Sequence, residues 1–125
     1  MSTAILDAGA LIAFERNDRF VVAIVARALE HHDPLVVPAG VAAQAWRDGR
    51  RQTRLARLLG SQNCTVLPLD DRAARAAGQL CGTTGISDIV DASVVIAARS
   101  RHGRVITSDP DDIRRLGSDI AIVSV

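Results

Sequence analysis

The 125-residue chain contains no lysine, and all fifteen of its cations are arginine. Chemistry that needs a Schiff-base or phosphate-sensing lysine is therefore excluded, and each basic site is a planar fork suited to phosphate. Aromatic residues are nearly absent as well. Phe14, Phe20 and Trp46 are the whole set, so an aromatic platform for stacking bases has little material. The two cysteines, Cys64 and Cys81, form no Cys-x-x-Cys pair and lie near no histidine cluster, which argues against a disulfide framework and a zinc site. Both read as reduced core thiols. No apolar run approaches the roughly 18 residues of a membrane span, and the opening Met-Ser-Thr-Ala-Ile-Leu-Asp lacks the basic start and apolar stretch of a secretory signal. These absences lead to the expectation of a soluble, cytoplasmic protein with no membrane partner. A Gly-x-x-x-x-Gly-Lys loop, a Gly-x-Gly-x-x-Gly turn and a Gly-x-Ser-x-Gly elbow are all missing, which removes the main support for nucleotide-binding and serine-hydrolase readings.

What remains is an ordinary globular balance, with 48% hydrophobic and 23% charged residues and a net charge of +1. A chain of this size buries roughly two-thirds of its unfolded surface. Without repeats or linkers it reads as one domain over residues 1–125. Short β-rich runs stand at 3–6, 35–37, 65–67, 104–107 and 120–123. Ala-, Leu- and Arg-rich stretches at helical spacing alternate with them, at 8–16, 19–31, 39–47, 51–59, 70–81, 87–101 and 110–116. Strands separated by helices imply right-handed crossovers and a parallel sheet covered on both faces, an α/β three-layer architecture. Ligands of such sheets bind beyond the carboxyl ends of the strands.

Carboxylates stand there. Asp7 follows the apolar run Ala4-Ile5-Leu6, at a position that suits both a helix N-cap and a ligand group. Asp109 repeats the pattern after Arg104-Val-Ile-Thr-Ser108. Before Pro110 it reads as a helix opening, and it gains functional weight if its strand lies beside that of Asp7. With Ser87 as cap, Asp91 falls one turn into a helix whose buried face continues through Val94, Val95 and Ala98. A carboxylate on that face needs a distant arginine or a metal to compensate it. Asp88 shares the face nearer the helix start, where an acid suits the dipole. Three converging carboxylates make a hard oxygen site of the kind that holds Mg²⁺ or Mn²⁺, whose natural use is phosphoryl chemistry. The three histidines follow no such pattern and receive no role.

Arg47, Arg50, Arg51, Arg54 and Arg57 recur every three or four residues, forming one cationic stripe if the helix is continuous through Gly49. Trp46, Leu55, Leu58 and Leu59 would then face inward.

Three stretches together resemble the PIN-domain nucleases, and in particular the VapC-type toxins of bacterial toxin–antitoxin pairs. Ile5-Leu6-Asp7-Ala8-Gly9-Ala10-Leu11-Ile12 is similar to the family's opening strand and first acid. Asp91-Ala92-Ser93-Val94-Val95-Ile96-Ala97-Ala98 resembles its central helix and third acid. Val105-Ile106-Thr107-Ser108-Asp109-Pro110-Asp111-Asp112-Ile113 resembles its closing strand, polar Thr or Ser, and last acid. The resemblance implies a five-stranded parallel sheet in the order 3-2-1-4-5 and Mg²⁺- or Mn²⁺-dependent cleavage of RNA. It also implies a homodimer and a small inhibitory antitoxin, with Asp7, Asp91 and Asp109 carried over as metal ligands. Where the family usually places a second acid, this chain has Gln44, which keeps a carbonyl oxygen and loses the charge. Asp88 or Asp48 is a candidate to compensate.

Two functional readings follow. In the first, the chain is a metal-dependent endoribonuclease with Asp7, Asp91, Asp109 and Gln44 as catalytic residues: Asp7 and Asp91 hold the principal metal, Asp109 completes its shell, Gln44 positions water or a second ion, and Asp88 is a further metal ligand. Arg47, Arg50, Arg51, Arg54, Thr107 and Ser108 contact the RNA. In the second, Gln44 leaves a catalytically weak or inactive module that binds RNA or a partner protein.

Overall fold

A computed structural model describes residues 2–125. The elements are β1 (Ala4–Leu6), α1 (Ala8–Glu15), α2 (Arg19–Glu30), β2 (Leu35–Pro38), α3 (Ala39–Ala45), α4 (Thr53–Leu59) and β3 (Cys64–Leu67). α5 (Asp71–Thr84), α6 (Ile89–Arg101), β4 (Arg104–Thr107), α7 (Pro110–Leu116) and β5 (Ile122–Ser124) complete the chain. The strands form one sheet in the order β3-β2-β1-β4-β5 with every pair parallel, as the resemblance implies. β1 is central. Ile5 is flanked by Val36 and Val105, and all three residues of β1 are buried, as a strand covered on both faces must be.

Right-handed crossovers dictate where the helices go. The chain steps outward from β1 to β2 to β3, which places α1 to α4 on one face. It then returns past β1 to β4 and β5, which places α5 to α7 on the other. The direction reverses between β1 and β4, so the crevice at their carboxyl ends is the topological switch point where ligands of open α/β sheets bind. No single helix is long and apolar enough to cross a membrane among the described residues.

Several boundaries differ from the sequence expectation. α3 stops at Ala45 and α4 begins at Thr53, so the arginine stripe is not one helix. α6 is capped by Asp88 rather than Ser87. α5 runs on to Thr84 and ends at Gly85, whose φ of 74° is the left-handed conformation a helix-ending glycine adopts at little cost. The last strand lies at Ile122–Ser124, because the Ile120 N–H donates back to the Gly117 carbonyl in a turn. Both cysteines are free. Burial pushes the Cys64 thiol up to about 11, and the Cys81 thiol donates to the Asp88 carbonyl at 3.8 Å.

Candidate active site

β1 runs into the N-cap of α1 at Asp7. The Asp7 Oδ1 accepts from the Ala10 N–H at 2.8 Å, the Gly9 N–H also donates to the carboxylate, and only 5% of the residue is exposed. Its strand neighbour β4 ends at Thr107, which is fully buried. The Thr107 hydroxyl donates to the Asp7 carboxylate and its oxygen accepts from the Asp109 N–H at 2.9 Å. One hydroxyl thus links the first and last acids. A Cβ on Gly9 would run into Ser108 Oγ, so glycine there lets the turn after β4 close on the turn after β1.

Asp109 occupies the N-cap position of α7, yet its side chain makes no capping hydrogen bond. Its exposed carboxylate is left for another partner, and its strand lies beside that of Asp7. Asp88 caps α6 by accepting from the Asp91 N–H at 3.0 Å, which brings the two carboxyls together at the start of that helix. Asp91 is half-buried. Burial, the charges of Asp88, Asp112 and Asp7, and a hydrogen bond to Asp88 push it up to about 6. Burial also raises Asp7, reinforced by the charge of Asp109 and opposed by the bonds from Thr107 and Ala10.

Asp112 was absent from the sequence candidates. Three residues after Asp109, it falls one turn on along α7, which packs against α6. That i, i+3 spacing was the signal available in the sequence.

These acids lack basic compensation. Among the described residues Asp7, Asp88, Asp91 and Asp109 have no salt-bridge partner, and only Asp112 has one, Arg115 at 3.5 Å. The arginine that could have balanced Asp91 is not there. An all-carboxylate, electrostatically strained cup fits a divalent cation by donor chemistry and charge. No three of the described acidic, His or Cys side chains are grouped closely enough to hold one ion together.

Gln44 lies exposed on α3, a helix packed against both α1 and α6. Gly40 in the first turn of α3 faces Val90, the neighbour of Asp91, and a Cβ there would stand 3.3 Å from Val90 Cγ2. The amide is thus on a helix wedged between two that bear acids. Asp48 sits beyond it in the 46–52 loop, where its Oδ1 accepts from the Arg50 N–H at 3.0 Å and its Oδ2 lies 3.7 Å from Arg51 Nε.

The arginines divide into two groups. Arg47, Arg50 and Arg51 belong to the loop, whereas Arg54 and Arg57 of α4 border a groove of about 260 Å³ together with Phe14, Val22 and Leu29. Leu55 and Leu58 face inward as expected and Leu59 is half-buried. Trp46 does not face inward: it is 40% exposed and lies against Gly49.

The model of the PIN domain family matches residues 4–118. The chain belongs to that family, and PIN domains are generally nucleases that commonly use divalent metal ions. Solved structures with the same fold include VapBC2 from Rickettsia felis bound to a DNA fragment from their promoter. It is 10% identical, with a TM-score of 0.72 and 98% of each chain covered. FitAcB from Neisseria gonorrhoeae is 18% identical, with a TM-score of 0.66 over 97% of this chain and 96% of that one. FitAB bound to an IR36 DNA fragment gives 16% and 0.68 over 97% and 94%. At these identities the likeness is one of fold. No curated protein is a significant sequence match.

Proposed function

We propose that the chain is a metal-dependent endoribonuclease acting in the cytoplasm as the toxin of a toxin–antitoxin pair. The observation that carries this reading is the uncompensated convergence of Asp7, Asp91 and Asp109 at the switch point, with Asp88 and Asp112 beside Asp91. Mg²⁺ or Mn²⁺ would sit among Asp7, Asp91 and Asp109, with Asp88 adjoining, reached in part through water, and would supply an activated water and charge neutralisation for phosphodiester hydrolysis. The chain's own residues prepare that site. Thr107 orients the Asp7 carboxylate, the Asp88 cap fixes the backbone of Asp91, and Asp109 leaves its carboxylate free of α7. Ser108 at the rim and the arginines farther out would steady the strand's phosphates, which gives affinity without sequence information.

The antitoxin would dock on the apolar groove between α1, α2 and α4, where Arg54 and Arg57 suit a segment with acidic residues. The resemblance also implies a homodimer, which sedimentation equilibrium would test.

Cleavage of a structured RNA pool in Mn²⁺ and in Mg²⁺, abolished by EDTA and by Asp91→Asn, is the expected result. Products should carry 5′ phosphates and 3′ hydroxyls. A 2′,3′-cyclic phosphate would mean that the RNA's own hydroxyl attacks, and would overturn the mechanism. One observation favours the second reading, a binding module: the neutral Gln44 on α3 where the family usually has an acid. Under the nuclease reading, Gln44→Glu tightens metal binding and raises cleavage. A folded Gln44→Glu protein that binds RNA but never cuts it would favour the binding module.

A further inference from the structure

The segment that interrupts the arginine stripe is built around one side chain. Gln52 Oε1 accepts from the Arg47 N–H at 2.7 Å and the Asp48 N–H at 2.9 Å, while its Nε2 donates to the Ala45 carbonyl at 2.9 Å. A single amide therefore spans the loop from the end of α3 to the start of α4. Only an amide can do this, because the three contacts need an acceptor and a donor on the same planar group. The rest of the loop is equally fixed. The Asp48 carbonyl accepts from the N–H groups of Arg51 and Gln52 at 3.0 Å, and its side chain accepts from Arg50 N. Trp46 lies over Gly49, where a Cβ would come within 2.7 Å of Cζ2. Arg47 Nη1 donates to the carbonyls of Ala43 and Trp46 at 3.1 and 2.7 Å, so this guanidinium serves the end of α3. Arg50 has no carboxylate partner among the described residues, and Arg51 has only the long contact to Asp48.

A loop this bonded, exposing two guanidiniums with little to bind, is pre-organised for an anionic chain. Holding the loop rigid removes ordering entropy that binding would otherwise cost. We propose that Gln52 is a positioning residue for single-stranded RNA: it closes the 46–52 loop so that Arg50 and Arg51 form a preformed site for phosphates of the strand. The site lies just beyond Gln44 along the chain. This rests on the RNA-cleaving reading above, and it departs from the uniform stripe by removing Arg47 from the phosphate contacts.

The experiment uses the full chain and a fluorescein-labelled single-stranded RNA, with EDTA present so that nothing is cleaved. Binding is followed by anisotropy across a salt series. Each lost phosphate contact flattens the slope of log K against log salt by about 0.7. Gln52→Ala is expected to weaken binding about fivefold to tenfold and to flatten the slope by one to two contacts. Arg50→Ala is expected to weaken binding in the native background and to add almost nothing once Gln52→Ala is present. Equal costs of Arg50→Ala in both backgrounds would overturn the proposal, because a purely structural Gln52 gives additive losses. Native binding by Gln52→Ala would overturn it too. Trp46, the sole tryptophan, reports the loop through its emission, which should shift in Gln52→Ala. Should that variant not fold, Gln52→Met replaces it. The side chain keeps its length and removes the amide that makes all three bonds without adding charge, so the same loss of coupling to Arg50 is expected and additive costs overturn the proposal as before. Hydrolysis of bis(p-nitrophenyl) phosphate in Mn²⁺ separates the two readings, since this small diester needs the acids and not the loop. Absence of that hydrolysis and of RNA cleavage from native protein counts against the nuclease reading, whereas the binding cycle decides Gln52.

Discussion

At the scale of single residues the site turns on Thr107. Its hydroxyl is buried among strands and has two obligations, donating to Asp7 and accepting from the Asp109 N–H. Thr107→Val keeps the shape and removes both. The Asp109 N–H then loses its bond and the Asp7 carboxylate loses a donor that favours its ionised form, so Asp7 should titrate higher still. A destabilisation of about 1–2 kcal/mol is expected from thermal melting. Activity should need a higher pH and more Mn²⁺ to reach half its maximum. An unchanged pH profile would mean that Thr107 is only a packing residue. Gly9 makes the complementary case. Gly9→Ala places a methyl against Ser108 Oγ, so the exposed Ser108 hydroxyl must turn aside; with the helix gain of alanine in α1 the melting temperature should change little, while RNA affinity should fall if that hydroxyl steadies a phosphate.

At the scale of elements, α4 is completed by a residue forty positions away. Gln52 stands at its N-cap and offers no capping bond, because its amide is engaged with the preceding loop. The helix N-terminus is satisfied instead by Glu15 at the end of α1, whose Oε2 accepts from the Leu55 N–H at 2.9 Å. Glu15→Ala should cost about 1 kcal/mol, the usual worth of a cap, and a melt matching the native protein would refute this. Such contacts explain which parts of the chain were legible in its sequence. The five strands were, because buried runs such as Ala4-Ile5-Leu6 and Val105-Ile106-Thr107 admit little else between helical stretches. Asp7 and Asp109 were legible for the same reason: their place follows from where those strands end. The 46–52 loop was not. Helical spacing carries the arginines through it and only Gly49 hints at a break; what shapes the loop is the local bonding of Gln52 to Ala45, Arg47 and Asp48, which no periodicity records. Asp112 stands one turn from Asp109 in the sequence, but its bearing on Asp91 follows only from the packing of α7 on α6.

At the scale of the whole molecule the raised acids set a pH dependence of stability, and the proposed metal would oppose its sign. Asp91 is raised from 3.8 to about 6 and Asp7 is raised as well, so between these values the folded chain holds more protons than the unfolded one. Stability contributed by these groups is fully present below pH 4 and is lost as pH rises through 6. Asp91 is only half-buried, and solvent screening leaves a contribution of about 1 kcal/mol, or about 4 °C in melting temperature for a chain of this size. Metal-free protein should therefore melt lower at pH 7.5 than at pH 5. Asp91→Asn, which cannot ionise, should flatten that decline. On the proposed reading a divalent cation would reverse the trend, because it would bind the deprotonated cup and stabilise the fold by mass action only once the protons have left. The melting-temperature increase given by a fixed Mn²⁺ concentration should thus grow as pH rises through 6, and Asp91→Asn should suppress most of it. An equal increase in native and Asp91→Asn protein would place the ion somewhere other than the carboxyl ends of β1 and β4, and the nuclease reading would lose its support.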